Sequence, residues 1–166
     1  QFFGVTPDLS IFAKAIASGY PISAIVGKKK WMEVVEQGRV IHAGTMNSGN
    51  PTVAAALATL TVLEREQPHS RMDGLRAAAV HSGQKLLIQG PGPMFVTSFT
   101  SLERMSDYRD SLQVDRAKLS RFIGGMHEKG VRIIGRGLWY ISAAHTEADI
   151  QKAIDTAYVV LGELDQ

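Results

Sequence analysis

The chain has 166 residues, 45% hydrophobic and 20% charged, a balance that supports a sizeable core and excludes a disordered chain. Its formal charge of +2 is too small for a polyanion partner, so no nucleic acid is expected, and the absence of cysteine rules out disulfides and thiolate metal sites. No apolar stretch approaches the roughly 20 residues of a membrane span and no signal peptide is legible, so the expectation is a cytoplasmic protein with no membrane contact.

The opening Gln1-Phe2-Phe3-Gly4-Val5 has no initiator Met and reads as the inside of a structured chain. The expectation is the later part of something longer. Residues 9–17 form a dense apolar run, either a short buried strand leading into a turn or a helix; periodicity does not arbitrate. Lys14 lies inside that run, with Gly19 just after it. A buried ammonium is costly unless it pairs, loses its proton or bonds covalently, and a desolvated lysine is a competent nucleophile toward aldehydes. The plain alternative is a lysine that snorkels its charge into water.

Residues 22–26 are a β-branched strand ended by Gly27, and residues 29–37 a short amphipathic helix ended by Gly38. Lys28-Lys29-Lys30 opens that helix as a solvated face. Residues 40–43 read as short and extended, and a polar loop follows from Gly44 to Pro51. Asn50 as cap and Pro51 at the first helical position announce a helix through the Ala- and Leu-rich residues 53–65, stopped by Pro68. A further helix is expected over residues 69–89, starting near Ser70 or Asp73, before Gly90-Pro91-Gly92-Pro93 breaks the chain.

Residues 94–100 are a strand candidate, 115–129 an amphipathic helix stopped by Gly130, and 131–134 a short strand. Gly135-Arg136-Gly137 is a turn and residues 138–143 another strand, with Trp139 and Tyr140 packing on opposite faces. Thr146-Glu147-Ala148-Asp149 resembles a capping box and opens a last helix to about Leu164, with Ile150, Ile154, Ala157 and Leu161 on one face. This alternation predicts an α/β arrangement with a boundary near residues 65–70. His42, His81 and His145 lack metal spacing, so no metal is expected. Ser48 and Ser82 lack a nucleophile-elbow context, and Gly27-Lys28 lacks the rest of a P-loop.

Three segments carry a family resemblance. The first is Phe3-Gly4-Val5-Thr6-Pro7-Asp8-Leu9, Lys14 and Gly19-Tyr20-Pro21-Ile22-Ser23-Ala24; the second is Gly44-Thr45-Met46-Asn47-Ser48-Gly49-Asn50-Pro51 followed by Ala54-Ala55-Ala56; the third is Ser142-Ala143-Ala144-His145-Thr146-Glu147-Ala148-Asp149-Ile150. Together they resemble the second half of a class III pyridoxal-phosphate aminotransferase, a group with the type I PLP-transferase fold that includes glutamate-1-semialdehyde aminomutase. The resemblance implies that residues 1–66 end the large cofactor-binding domain and that residues 67–166 form the small C-terminal α/β domain.

It also implies roles. The cofactor would be pyridoxal 5'-phosphate. Lys14 would hold it as a Schiff base and shuttle a proton during amino-group transfer between an amino acid and a keto acid. Gly44 and Thr45 would bind the cofactor phosphate. In the family that threonine reaches the neighbouring subunit's cofactor, which implies a homodimer. Asn47 adds a residue to the family's usual loop, leaving the phosphate contact open between Thr45 and Ser48, with Thr45 favoured. Asn47 and the Gly135-Arg136-Gly137-Leu138 turn are similar to members acting on β-amino acids, where Arg136 would meet a substrate carboxylate. The glycine-rich phosphate turn, the ring stacked on the pyridine and the aspartate paired with its nitrogen would all lie upstream of Gln1, and Asp8 is not that aspartate. Catalysis would therefore need the N-terminal half. The alternatives are a 2,1-aminomutase, another PLP reaction such as racemisation, or a non-catalytic fragment or subunit.

Overall fold

The computed structural model describes residues 4–66 and 81–164, which fall into two compact units, Gln1–Gln67 and Pro68–Gln166. Residues 1–3 and the part of the expected second long helix spanning residues 69–80 lie outside the described residues.

The first unit opens with two antiparallel strands, β1 (Leu9–Phe12) and β2 (Ala24–Gly27), in register from Leu9 opposite Gly27 to Phe12 opposite Ala24. The open reading of residues 9–17 resolves into both possibilities: a strand, then a short 3-10 turn over Lys14–Ala17. Gly27 closes the ribbon because a β-carbon there would collide with the Asp8 carbonyl and the Leu9 side chain. Lys28 caps the same end, its N–H donating to Asp8 O at 2.9 Å while its ammonium pairs with the Asp8 carboxylate at 2.8 Å. Helix α1 (Lys29–Glu36) follows, with Lys29 beside Glu33 one turn on. Residues 40–43, expected to be extended, join no ladder; they are exposed and have no strand beside them. Helix α2 (Asn50–Glu66) then runs where its Ala-rich sequence predicts.

The second unit is an antiparallel sheet in the order β3-β4-β5, with β3 at Leu86–Gln89, β4 at Met94–Phe99 and β5 at Leu138–Tyr140. The expected helix through residue 89 is thus corrected: Leu86–Gln89 is a strand, paired with β4 across the Gly90 turn. Glycine is required there because its φ is +151° and a β-carbon would strike the Met94 carbonyl and the Phe95 backbone. Residues 131–134 are not a strand either; Ile134 alone bridges to Leu138. The strand expected over residues 138–143 ends at Tyr140.

A one-turn helix α3 (Tyr108–Ser111) was not legible in the sequence. Helix α4 (Arg116–Glu128) is capped by Asp115, whose carboxylate accepts from Lys118 N at 2.8 Å. Helix α5 (Glu147–Glu163) starts at the expected capping box, Thr146 and Asp149 bonding reciprocally. Phe95, Phe99, Leu119, Phe122, Met126, Trp139, Ala157, Val160 and Leu161 make the core between sheet and helices. Phe95 stacks on Trp139 at 5.5 Å, and Phe99 meets Phe122 edge-on at 5.7 Å. Burying each large apolar side chain stabilises by roughly 1.5–3 kcal/mol. Trp139 is buried and Tyr140 exposed, opposite faces of one strand as the alternation requires.

Candidate active site

Lys14 sits where the ribbon ends. After Phe12 the chain is extended at Ala13 (φ −156°), and then Lys14 turns into the left-handed region at φ +55°. The 3-10 turn closes at Ser18, also left-handed at φ +48°. Two non-glycine residues in this region cost about 1–2 kcal/mol each, and such strain persists only where the surroundings impose it. The turn's own hydrogen bonds are long: Ile16 N–H to Ala13 O is 3.4 Å and Ser18 N–H to Ala15 O is 3.3 Å. The imposing element is α2, against which the turn packs. Ala17 and Ala56 are the buried apolar side chains of this unit among the described residues. Thr52, Ala55, Ala56 and Thr59 recur at helical spacing, and all four are at least partly buried, so small side chains let turn and helix approach.

Within the described residues Lys14 is not dry. Lys14 is exposed, and so are its neighbours Leu9, Ile11 and Phe12 at 50%, 75% and 49%. The reason is architectural: a two-stranded ribbon has two faces, and α2 meets the turn rather than the strands.

The Gly44–Thr45 loop leads into the N-terminus of the same helix. Asn47 N–H donates to Gly44 O at 2.9 Å, and its side-chain amide lies against the space a β-carbon on Gly44 would need. Ser48 is left-handed at φ +55°, the third such non-glycine residue in the described chain. Thr52 and Val53 N–H both donate to Gly49 O at 3.0 Å, and the Thr52 hydroxyl adds a third bond at 2.8 Å. Thr45 and Ser48 are exposed, and their hydroxyls bond to no described residue. A hydroxyl loop at the N-terminus of a 17-residue helix suits an anion such as a phosphate. A free primary amine suits an aldehyde. These donors fit the covalent and phosphate ends of pyridoxal phosphate. Asp8 is committed to Lys28 at the far end of β1.

Arg136 belongs to the second unit and lies exposed on a tight turn. Gly137 N–H donates to Ile134 O at 2.9 Å, and Gly137 is buried at φ +72° against Thr97. Thr97 binds the turn from below: its N–H and hydroxyl donate to Gly137 O at 2.8 and 3.2 Å, and its oxygen accepts from Trp139 Nε1 at 3.1 Å. The structure thus brings Lys14 and the Gly44–Thr45 loop onto one helix and seats Arg136 on an anchored turn of the other unit. Sequence reasoning missed Ser18 and Thr59, whose hydroxyls meet at 3.0 Å beside the lysine turn. Nothing in a Ser before a Gly, or a Thr in an Ala-rich helix, announces that contact. His42 and His145 are exposed, and His145 Nδ1 accepts from Ser142 N–H at 3.0 Å.

The family of class-III aminotransferases matches residues 1–155, and the chain belongs to it. It is 36% identical over 176 aligned positions to a glutamate-1-semialdehyde 2,1-aminomutase of Desulfatibacillum aliphaticivorans, covering 99% of this chain and 41% of that protein. The same enzyme of Thermodesulfovibrio yellowstonii is also 36% identical, with the same coverage. An omega-transaminase from Sphaerobacter thermophilus superposes with a TM-score of 0.82 at 21% identity, over 99% of this chain and 40% of that one. A beta-phenylalanine aminotransferase from Variovorax paradoxus gives 0.75 at 21% identity, over 98% and 40%. The fold is therefore that of the solved transaminases. The chain spans about two-fifths of the length of the curated relatives it matches.

Proposed function

We propose that this chain is the C-terminal part of a PLP-dependent enzyme that moves an amino group between an amino acid and a keto acid. Residues 1–66 would end its large domain and residues 67–166 form its small one. The observation that carries the reading is Lys14 itself, a left-handed lysine at a strand end, seated on the helix whose N-terminus bears the Gly44–Thr45 loop. Pyridoxal phosphate, when bound, supplies the electron sink for ionising a C–H bond beside nitrogen. Lys14 Nζ holds the cofactor's aldehyde carbon. When not bonded to the cofactor, Lys14 Nζ would be the base that takes the proton from the substrate's α-carbon. Thr45 Oγ1 and the loop's N–H groups would hold the phosphate of the neighbouring subunit's cofactor, and Arg136 would pair with a substrate carboxylate. The rest of a class III subunit and a homodimeric partner supply the cover that Lys14 lacks here. The complete enzyme works in the cytoplasm. No helix among the described residues is long and apolar enough to cross a membrane.

The test is direct. The chain is incubated with pyridoxal phosphate, reduced with borohydride and mapped by peptide mass. Lys14 carries the largest share of the adduct, and Lys14→Ala loses that share and weakens the violet absorbance band accordingly. Identical spectra and labelling in wild type and variant would overturn the reading. The second reading, an intramolecular 2,1-aminomutase, is favoured by the names of the relatives at 36% identity. Half-reaction spectra of the complete enzyme with α- and β-amino acids separate the two, since a transaminase converts its cofactor with the amino acid alone. Arg136→Ala weakens binding of carboxylate substrates if the arginine has the proposed role.

A further inference from the structure

The lysine turn is held to its helix by a pair of hydroxyls that the chemistry above does not use. Ser18 Oγ lies 3.0 Å from Thr59 Oγ1, across 41 residues of sequence. Thr59 Oγ1 also donates to Ala55 O at 2.8 Å, one turn back along α2. A hydroxyl has one proton, so Thr59 has none left for Ser18. The direction of the pair is thereby fixed: Ser18 donates to Thr59, and Thr59 donates to the Ala55 carbonyl. Chained hydrogen bonds of this kind reinforce one another.

Its place matters more than its strength. Lys14 and Ser18 bracket the 3-10 turn, and both are non-glycine residues in the left-handed region. Glycine is the ordinary residue for Ser18's conformation, and Gly19 beside it already takes φ +102°. Serine brings the one thing glycine lacks, a hydroxyl, and the structure spends that hydroxyl on α2. The turn's internal bonds are long and Lys14 is exposed, so the turn's hold on α2 sets where the amine begins its reach.

We propose that Ser18 and Thr59 are positioning residues for Lys14, a hydroxyl clasp that pins the lysine turn to the helix carrying the Gly44–Thr45 loop. Their hydroxyls are taken up by each other and by the Ala55 carbonyl, so both act through the backbone of residues 14–18. The proposal rests on the reading of Lys14 as the cofactor-bearing lysine, and it deepens that reading by naming what aims the amine.

The experiment compares wild type with Thr59→Val, which keeps shape and loses the hydroxyl, Thr59→Ser, which restores it, and Ser18→Ala. Each chain is treated with pyridoxal phosphate and borohydride. The adduct at Lys14 is quantified against adducts at Lys28, Lys29 and Lys30 in the same digest, and its pH dependence recorded. Loss of one hydrogen bond predicts a two- to fivefold fall in the Lys14 share in Thr59→Val and Ser18→Ala, with recovery in Thr59→Ser. A lowered melting temperature with an unchanged Lys14 share and pH profile would make the pair a structural bond only, and would overturn the proposal. If Lys14 takes no adduct in wild type, the parent reading fails. Hydrogen exchange then tests the clasp by itself. The Ser18 and Tyr20 amides, bonded to Ala15 O and Ala17 O, exchange faster in Thr59→Val and recover in Thr59→Ser. Unchanged exchange would overturn the clasp.

Discussion

Replacing Lys14 by alanine and by glycine separates its chemistry from its backbone. At an ordinary exposed helical position alanine is the more stable of the two by about 1 kcal/mol. At φ +55° the order reverses. Alanine keeps the β-carbon and with it the left-handed strain of about 1–2 kcal/mol, which glycine removes. Glycine's greater freedom in the unfolded chain costs back about 0.5–1 kcal/mol. The net expectation is Lys14→Gly more stable than Lys14→Ala by about 0.5–1 kcal/mol. The exposed lysine side chain itself contributes little to stability in either comparison. Urea unfolding followed by circular dichroism measures the difference, read as a midpoint shift at constant slope. Both variants lose the Lys14 share of the cofactor adduct, so stability and chemistry move in opposite directions in the glycine variant. If Lys14→Ala is as stable as Lys14→Gly or more so, the lysine is not held in the left-handed region and the argument from strain fails.

Gly137→Ala should cost about 2–4 kcal/mol, because the new β-carbon meets the Thr97 carbonyl and sits 3.1 Å from Leu119 at a positive φ. A loss under 1 kcal/mol by denaturant unfolding would contradict the close approach. The carboxyl of Asp149 is held below its ordinary 3.8, chiefly by the hydrogen bond from the Thr146 hydroxyl and then by Thr146 N–H. A small desolvation opposes this, and the charges of His145 and Lys152 assist. A lowered folded value means stability that is present above pH 3.8 and lost as pH falls through the folded value. Asp149→Asn removes that dependence. The gap in urea midpoint between wild type and Asp149→Asn should therefore narrow from pH 6 to pH 3, and an equal gap at both would refute the linkage.

What was legible in the sequence was local. Asn50-Pro51 and Thr146 to Asp149 announce helices; the last begins at its capping box as expected, and α2 begins at Asn50 itself, one residue before the expected start at Pro51. What was not legible depends on distant partners. Leu86–Gln89 reads as a helix end, and only its pairing with β4 makes it a strand. Val131, Ile133 and Ile134 are β-branched, but residues 131–134 find a partner only at Ile134. At the candidate site the identity of Lys14 was visible and its conformation was not, because no local signal places a lysine at a positive φ. The Ser18–Thr59 contact spans 41 residues and carries no local signal either.

The two units differ in how they close. In the second, Phe122, Met126 and Leu161 are almost wholly buried between sheet and helices. In the first, Ile11, Phe12, Ile25, Val26, Trp31 and Leu57 stay exposed, and a two-stranded ribbon is marginal in water without a covering layer. Two requirements of a lysine nucleophile therefore have separate sources. Its backbone geometry is imposed within this chain by the turn's seat on α2. Its dryness is not, since nothing described covers β1 on the face beside Lys14. Under the proposed reading, the layer that covers those apolar side chains in the complete enzyme also desolvates the amine.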